Sequence, residues 1–256
     1  TLPKRFCAYD MCHEFEPGSH NARYCVDCRC KRRQEAATKR ALAPDPDAPE
    51  ELWKLQEAKK SSRLLLAQAK NAWLLNTSSI GFFDIETSNL DASIGVLLCT
   101  AIKARGKHPP TVFVAQGADD HECAVQTRDL IESFDYIATY YGTGFDIPFL
   151  NTRLILHNER PIDTLRHIDL YYVARFKLKL HSNRLQVVAE TLFGESGKTR
   201  VVGPIWTRAL SGDMDAMQYI IDHCIVDVEE LEEVFDRLLG FVNLSAVRYR
   251  KFGGGY

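Results

Sequence analysis

Asp84 and Glu86 flank an isoleucine near the end of the apolar run Gly81-Phe82-Phe83-Asp84-Ile85-Glu86-Thr87. Alternate residues of a strand share a face, so the two carboxylates should point the same way. Acids held side by side repel unless a cation or a shared proton lies between them. The pair is therefore either a surface accident or one edge of a metal site. Two further acids stand in contexts suited to such a site. Asp146 follows Tyr140-Tyr141-Gly142-Thr143-Gly144-Phe145, a strand leading through glycines into a helix, which sets it at the helix's first turn. An acid there also complements the helix dipole with no other duty. Asp227 lies in Tyr219-Ile220-Ile221-Asp222-His223-Cys224-Ile225-Val226-Asp227-Val228-Glu229-Glu230-Leu231. His223, four residues earlier, shares its helical face, and Ile220, Ile221, Val228 and Leu231 can hold that helix on a sheet. Four such acids clustered without cations would be strongly unfavourable, whereas two divalent ions, Mg2+ or Mn2+, suit hard oxygen ligands.

The elements that must position these residues have the order of a mixed α/β domain. Segments 80–86, 94–103 and 111–115 read as strands joined by short connections, an antiparallel meander. A helix is expected at 123–134, a fourth strand at 136–141, a helix at 145–157 and a short final strand at 163–170. Helices at 185–193 and 213–239 complete a five-stranded mixed sheet flanked by helices. Upstream, Ala43-Pro44-Asp45-Pro46-Asp47-Ala48-Pro49 is a stiff turn or linker that reads as a helix start. From 50 to 75 there is no strand-like alternation. Leu52, Leu55, Lys59, Leu66 and Trp73 suit one long or two short helices, and Lys54, Lys59, Lys60, Arg63 and Lys70 give a solvated face. This stretch is expected to act as a spacer that packs on the next domain.

Length allows one ordinary domain plus a small module in 256 residues. The apolar share of 45% is normal for a globular chain, and the hydrophobic runs are too short and interrupted to span a bilayer. The opening Thr1-Leu2-Pro3-Lys4-Arg5 has neither a methionine nor a signal-peptide core, so a cytoplasmic protein is expected. Eight cysteines then point to metal or free thiols in place of disulfides. Residues 1–79 carry a net charge of +4 and the remainder −6, within an overall −2. A basic leader on an acidic body fits a nucleic-acid grip beside a cation-filled site, and so does chance.

Cys7, Cys12, Cys25 and Cys28 form two close pairs separated by a turn-rich loop with Pro17-Gly18. That spacing can supply four thiolates to one tetrahedral Zn2+, with His13, His20 and Cys30 as possible substitutes. The metal would replace a core that so short a module cannot build. Arg29, Lys31, Arg32 and Arg33, with Lys39 and Arg40, follow the second pair and suit nucleic-acid contact, with protein docking as the competing use. The order of these residues resembles small treble-clef or ribbon-like fingers of nucleic-acid enzymes. Expected boundaries are thus a zinc-binding module at 1–40, a helical linker at 41–78, the main domain at 79–243 and a tail at 244–256.

Asp84-Ile85-Glu86, the run from Gly142 through Phe145-Asp146-Ile147-Pro148-Phe149-Leu150, and His223-Cys224-x-x-Asp227 resemble the three motifs of the DEDD 3′–5′ exonucleases, which have a ribonuclease H-like fold. The resemblance spans roughly 80–240 and is nearest to the polymerase-proofreading type and the YprB-like group. His167-Ile168-Asp169-Leu170 and Leu185-Gln186-Val187-Val188-Ala189 resemble framework pieces of that group. The resemblance implies that Asp84 bridges two ions, that Glu86 and Asp227 complete the site around the ion carrying the attacking water, and that Asp146 supports the other. It further implies a 3′–5′ exonuclease releasing nucleoside 5′-monophosphates from DNA or RNA, acting on single-stranded 3′ ends, DNA weakly favoured. An inactive nucleic-acid-binding or scaffold relative and a structure-selective endonuclease are the alternatives. A polymerase or helicase partner, and a bacterial or phage-infected cell, are expected on the same ground.

Two departures stand out. Family branches carry a tyrosine four residues before the last aspartate or a histidine five before it, while this chain has His223 at the first spacing and Asp222 at the second. His223 is the better candidate for deprotonating water, with Tyr219 as a weaker substitute. Tyr141 stands where the family usually has asparagine. Gly194-Glu195-Ser196-Gly197-Lys198-Thr199 ends like a phosphate-binding loop, but the earlier glycine would fall at Leu192 and no strand precedes it. Lys198 and Arg200 are left to contact substrate phosphate or solvent.

Overall fold

The computed structural model describes residues 5–6, 14–15, 50–194 and 203–252. Cys7, Cys12, Cys25 and Cys28, the substitutes His13, His20 and Cys30, the cluster Arg29, Lys31, Arg32, Arg33, Lys39 and Arg40, and Lys198 with Arg200 lie outside the described residues. The chain divides into two compact units, Thr1–Leu65 and Leu66–Tyr256. In the first, strands β1 (Arg5–Phe6) and β2 (Glu14–Phe15) pair antiparallel, Arg5 opposite Phe15. Helix α1 (Glu50–Thr77) begins there and is one long helix. Its later turns belong to the second unit, where Asn71 donates to Val242 O at 2.8 Å and accepts from Leu244 N–H at 2.7 Å, and Leu74 and Leu75 pack on the core.

The second unit holds a six-stranded sheet among the described residues, ordered β5–β4–β3–β6–β7–β8. Strands β3 (Ile80–Thr87), β4 (Leu97–Ala104) and β5 (Thr111–Val114) form the expected antiparallel meander. Strands β6 (Tyr136–Thr139) and β7 (Thr164–Asp169) run parallel to β3 on its other side. The sheet has one strand more than the five expected. Strand β8 (Tyr249–Lys251) pairs antiparallel with β7, in the segment expected as a tail. Every residue of β8 is exposed, so it offers no apolar alternation by which it could be read.

Period two along β3 divides the core. Ile80 and Phe82 face a cluster built on the long C-terminal helix, while Phe83 and Ile85 face a second cluster on the opposite side of the sheet. Gly81 is required there, because an added Cβ would sit 2.9 Å from Ile137 and Phe134 side chains. The second cluster is completed by helices α2 (His121–Glu132) and α3 (Asp146–Leu156) through Cys123, Ala124, Ile131, Ile147, Leu150 and Leu154. On the first face lie α4 (Leu170–Lys177), α5 (Leu185–Phe193), α6 (Gly203–Leu210) and α7 (Met214–Leu238). Helix α7 starts at Asp213, whose carboxylate accepts from Ala216 N–H at 3.1 Å. Its buried stripe runs Met217, Ile220, His223, Cys224, Asp227, Val228, Leu231, Val234 and Phe235, a spacing of three and four residues that turns one face to the sheet. Pairing of Lys103 with Glu232 and of Arg105 with Asp236, the latter at 2.7 Å, ties that helix to β4 and its end.

Candidate active site

Because the even residues of β3 face α7, Asp84 and Glu86 extend the row of Ile80 and Phe82 toward that helix. Glu86 is 9% exposed, and His223 and Asp227 on the buried stripe of α7 are 6% and 4% exposed. Glu86, His223 and Asp227 each offer one ligand atom within 4.8 Å of the others. His223 Nε2 stands 3.7 Å from Glu86 Oε1 and 3.9 Å from Asp227 Oδ2. Asp84 meets the same helix one residue on: the Cys224 Sγ lies 3.6 Å from its backbone oxygen and 3.7 Å from Oδ2. Buried among Cys99, Asp84 and Glu86, the Cys224 thiol is held far above its ordinary pKa by loss of solvent, with the nearby acids adding to the effect, so it acts as a neutral donor.

The register question at α7 is resolved by helix geometry. Asp222 is exposed and accepts from Gln218 Nε2 at 2.8 Å, and Tyr219 is 36% exposed. The residue four before Asp227 faces the acids, and the one five before it does not.

Asp146 is the first residue of α3 and 4% exposed. Burial pushes its carboxyl up to about 7, and the charges of Asp169 and Asp227 add to this against the backbone N–H groups of Asp146 and Ile85, which favour the anion. The contact with Ile85 sets Asp146 beside the middle of the Asp84-Ile85-Glu86 triplet. Carboxylates held out of solvent are hard oxygen donors, which is the chemistry a divalent cation of the Mg2+ or Mn2+ kind requires. Glu86 and Asp227, with the His223 ring, bring such donors within 4.8 Å of one another, while Asp84 on the same strand as Glu86 and Asp146 on α3 lie outside that group.

The turn before Asp146 is built from residues that the sequence did not single out as site residues. Asp169, at the end of β7, accepts from Tyr141 N–H at 2.9 Å, Thr143 N–H at 3.0 Å and Tyr171 N–H at 3.2 Å. It holds the turn and caps α4 at once. Thr139 Oγ1 accepts from Gly142 N–H at 3.0 Å, and a Cβ on Gly142 would collide with that hydroxyl at 2.3 Å, so glycine is needed for the chain to turn there. His167 lies 2.8 Å from the same hydroxyl. Burial lowers its pKa to about 4, with Arg250 adding to this over the opposing charge of Asp169, which keeps the ring neutral. Arg250 of β8 donates to Thr143 Oγ1 at 3.2 Å.

A second support lies on the far side of the sheet. Asp120, fully buried, takes Arg153 Nε at 2.7 Å, Arg153 Nη2 at 2.9 Å, His157 Nε2 at 2.6 Å and Leu97 N–H at 2.7 Å. Burial pushes its carboxyl up, but these partners outweigh it and hold the group below the usual range. Arg153 also donates to Ala92 O at 3.1 Å, so one buried acid ties the helix of Asp146 to the loop that leaves Glu86. The glycine-rich Gly194–Thr199 stretch follows a helix, not a strand, and Gly194 closes α5 with φ 86°, consistent with a helix cap.

The profile of the RNase_H superfamily matches residues 81–239, a span that includes the candidates Asp84, Glu86, Asp146, His223 and Asp227. Among solved structures, the family B DNA polymerase from the hyperthermophilic archaeon Pyrobaculum calidifontis is similar to the chain, with 19% identity and a TM-score of 0.55. The similarity covers 66% of this chain and 27% of the polymerase, and it concerns the fold. No curated protein matches the chain in sequence. No helix among the described residues is long and apolar enough to cross a membrane.

Proposed function

Because the chain belongs to the RNase_H superfamily, we propose that it is a metal-dependent 3′–5′ exonuclease, hydrolysing DNA or RNA from the 3′ end to nucleoside 5′-monophosphates. The observation that carries this reading is the convergence of Glu86, His223 and Asp227 beside Asp84 and Asp146. Asp84, Glu86, Asp146 and Asp227 would hold two Mg2+ or Mn2+ ions, which when bound lower the pKa of water and stabilise the leaving 3′ oxygen. His223, with Nε2 3.7 Å from Glu86 and 3.9 Å from Asp227, would take the proton of the attacking water. Asp169 and Thr139 fix the turn through Gly142, and so keep Asp146 aimed at β3. Hydrophobic packing of Ile220 and Val228 on the sheet does the same for His223 and Asp227. The four-cysteine module at 1–40 would carry a structural Zn2+.

Digestion of strands labelled at the 5′ end, in DNA and RNA form with Mg2+ or Mn2+ supplied, tests the reading. A ladder shortening from the 3′ end with mononucleotide product is expected. Internal cuts would favour an endonuclease, and no hydrolysis of any strand would reject the enzyme.

A further inference from the structure

Beside the turn that carries Asp146, five aromatic rings run in contact from the sheet toward solvent. Tyr140 meets Tyr171 at 6.0 Å between centroids, Tyr171 meets Tyr141 at 4.9 Å, and Tyr141 meets Tyr172 at 6.3 Å. Tyr172 and Phe176, four apart on α4, stack at 6.1 Å with 17° between planes. The inner end is anchored, for Tyr140 donates its hydroxyl to Asn183 O at 2.7 Å. The outer end is open: Phe176 is 73% exposed and Tyr141 44%. Tyr141 adopts φ 68°, a left-handed backbone that is unfavourable for an L residue. Its ring lies over Gly144, where an added Cβ would come 2.5 Å from Tyr141 Cζ. The ring is thus fixed by the same turn that presents Asp146.

Core packing does not account for this row. The buried residues of α4 are Leu170 and Ala174, so the helix needs neither Phe176 nor Tyr141 to hold its place. Asp169 lies beneath the row, bonded to the Tyr141 and Tyr171 N–H groups, but the charged side chains of the segment that carries the outer rings are all of one sign. Arg175, Lys177, Lys179 and Arg184 are all exposed, and no acid occurs from 170 to 189 in a chain whose net charge is −2. Among the described residues none of these four cations is ion-paired; Arg175 instead donates to Tyr171 Oη at 2.9 Å and lies 5.9 Å from its ring centroid. Exposed rings beside unpaired cations match a ligand with flat apolar faces and a run of negative charge, which is a nucleic-acid strand with its bases unpaired. A duplex hides those faces in its stack.

We propose that Tyr141, Tyr172 and Phe176, flanked by Arg175, Lys177 and Lys179, form a stacking seat for single-stranded nucleic acid leading toward the site of Asp84 and Asp146. The class of ligand rests on the nuclease reading, but the test needs no turnover. With the full chain in EDTA, fluorescence anisotropy would measure binding of a thymidine oligonucleotide, an abasic strand of equal length and a blunt duplex. The thymidine strand should bind about tenfold or more tighter than the abasic one, and Phe176→Ala or Tyr172→Ala should weaken the thymidine complex roughly tenfold while barely moving the abasic one. Lys177→Gln with Lys179→Gln should weaken both strands alike and flatten the salt dependence.

Equal affinity of the wild type for base-bearing and abasic strands would overturn the seat. So would an unchanged thymidine complex in Phe176→Ala, whose exposed side chain leaves the fold intact on removal. Strand binding that depends on the rings, in a protein that hydrolyses nothing with Mg2+ or Mn2+, would sink the nuclease reading and leave the seat standing. Hydrolysis by a protein indifferent to the rings would do the reverse.

Discussion

Replacing Asp146 by Asn should stabilise the metal-free protein in a pH-dependent way. Asp146 ionises near 7 in the folded chain, against about 3.9 when unfolded. Below pH ~4 the carboxyl is neutral in both states and costs nothing. Between those pH values folding takes up a proton, so stability falls as pH rises, by about 1.4 kcal/mol per pH unit at most. Above pH ~7 the group is ionised in both states and the penalty is constant, on the order of 4 kcal/mol as an upper bound. Asp169 and Asp227 share the electrostatic load, so removing one acid should recover roughly 1–3 kcal/mol of it. Asn keeps an oxygen for the Ile85 N–H. For a domain of this size that is a rise in Tm of some 2–10 °C.

The assay is thermal unfolding in EDTA from pH 5 to pH 8, followed by circular dichroism. The gap between Asp146→Asn and wild type should open toward pH 8 and narrow at pH 5. Adding Mg2+ or Mn2+ at pH 8 should then raise Tm more for wild type than for the variant, since a bound cation relieves the same repulsion. Parallel Tm–pH curves in EDTA would show that Asp146 carries no such strain. Equal stabilisation by the cation in both proteins would remove Asp146 from the metal site.

Asp84→Asn and Asp227→Asn should each abolish hydrolysis with unchanged circular dichroism; near-normal activity in either pure variant would refute the proposed site. His223→Ala should lower turnover by roughly 10²–10⁴ with little change in substrate affinity. The acid limb of the wild-type pH–rate profile, near pH 6–7 for an imidazole, should vanish in the variant, and an identical limb in both would show that the histidine is not the base. Asp120→Ala strands the mostly buried Arg153 cation and should cost about 3 kcal/mol or more in urea unfolding, a loss that Asp120→Asn would only partly share. Cys25→Ser with Cys28→Ser should release one zinc per chain by elemental analysis and leave divalent-ion-dependent hydrolysis in place.

The acids were legible because each is fixed by a short-range rule. Two residues apart on a strand put Asp84 and Glu86 on one face, and four apart on a helix put His223 and Asp227 on one stripe. The apolar residues interleaved with them, Phe82 and Phe83 on the strand and Ile220 and Val228 on the helix, announce which way each element will turn. The strand meander and the boundaries of α5 and α7 follow from the same periodicities. Helix α4 escaped them. Leu170-Tyr171-Tyr172-Val173 has the aromatic and β-branched content of a strand end, and what makes it helical is the Asp169 cap together with the burial of Leu170 and Ala174.

The supports are of another kind. Asp169 meets Tyr141 and Thr143 across 28 and 26 residues, and Asp120 meets Arg153 across 33. No local spacing marks such a pair, since any buried acid looks like any other until the chain has brought its donor to it. The division has a physical basis. Glu86, His223 and Asp227 are presented by a strand and a helix, and therefore carry those elements' periods. A residue that holds an irregular turn in place answers to the backbone N–H groups of the turn alone, and its position in the sequence is set by topology. Asp169 shows the consequence for the site: it directs the turn before Asp146 with two N–H bonds and raises the Asp146 pKa with its charge. Asp169→Asn, which preserves one acceptor oxygen and removes the charge, should lower the Asp146 pKa while loosening the turn. The two effects separate experimentally, because the first flattens the EDTA Tm–pH curve between pH 5 and 8 and the second speeds amide exchange at Tyr141 and Thr143. An unchanged curve together with unchanged exchange would show that Asp169 does neither.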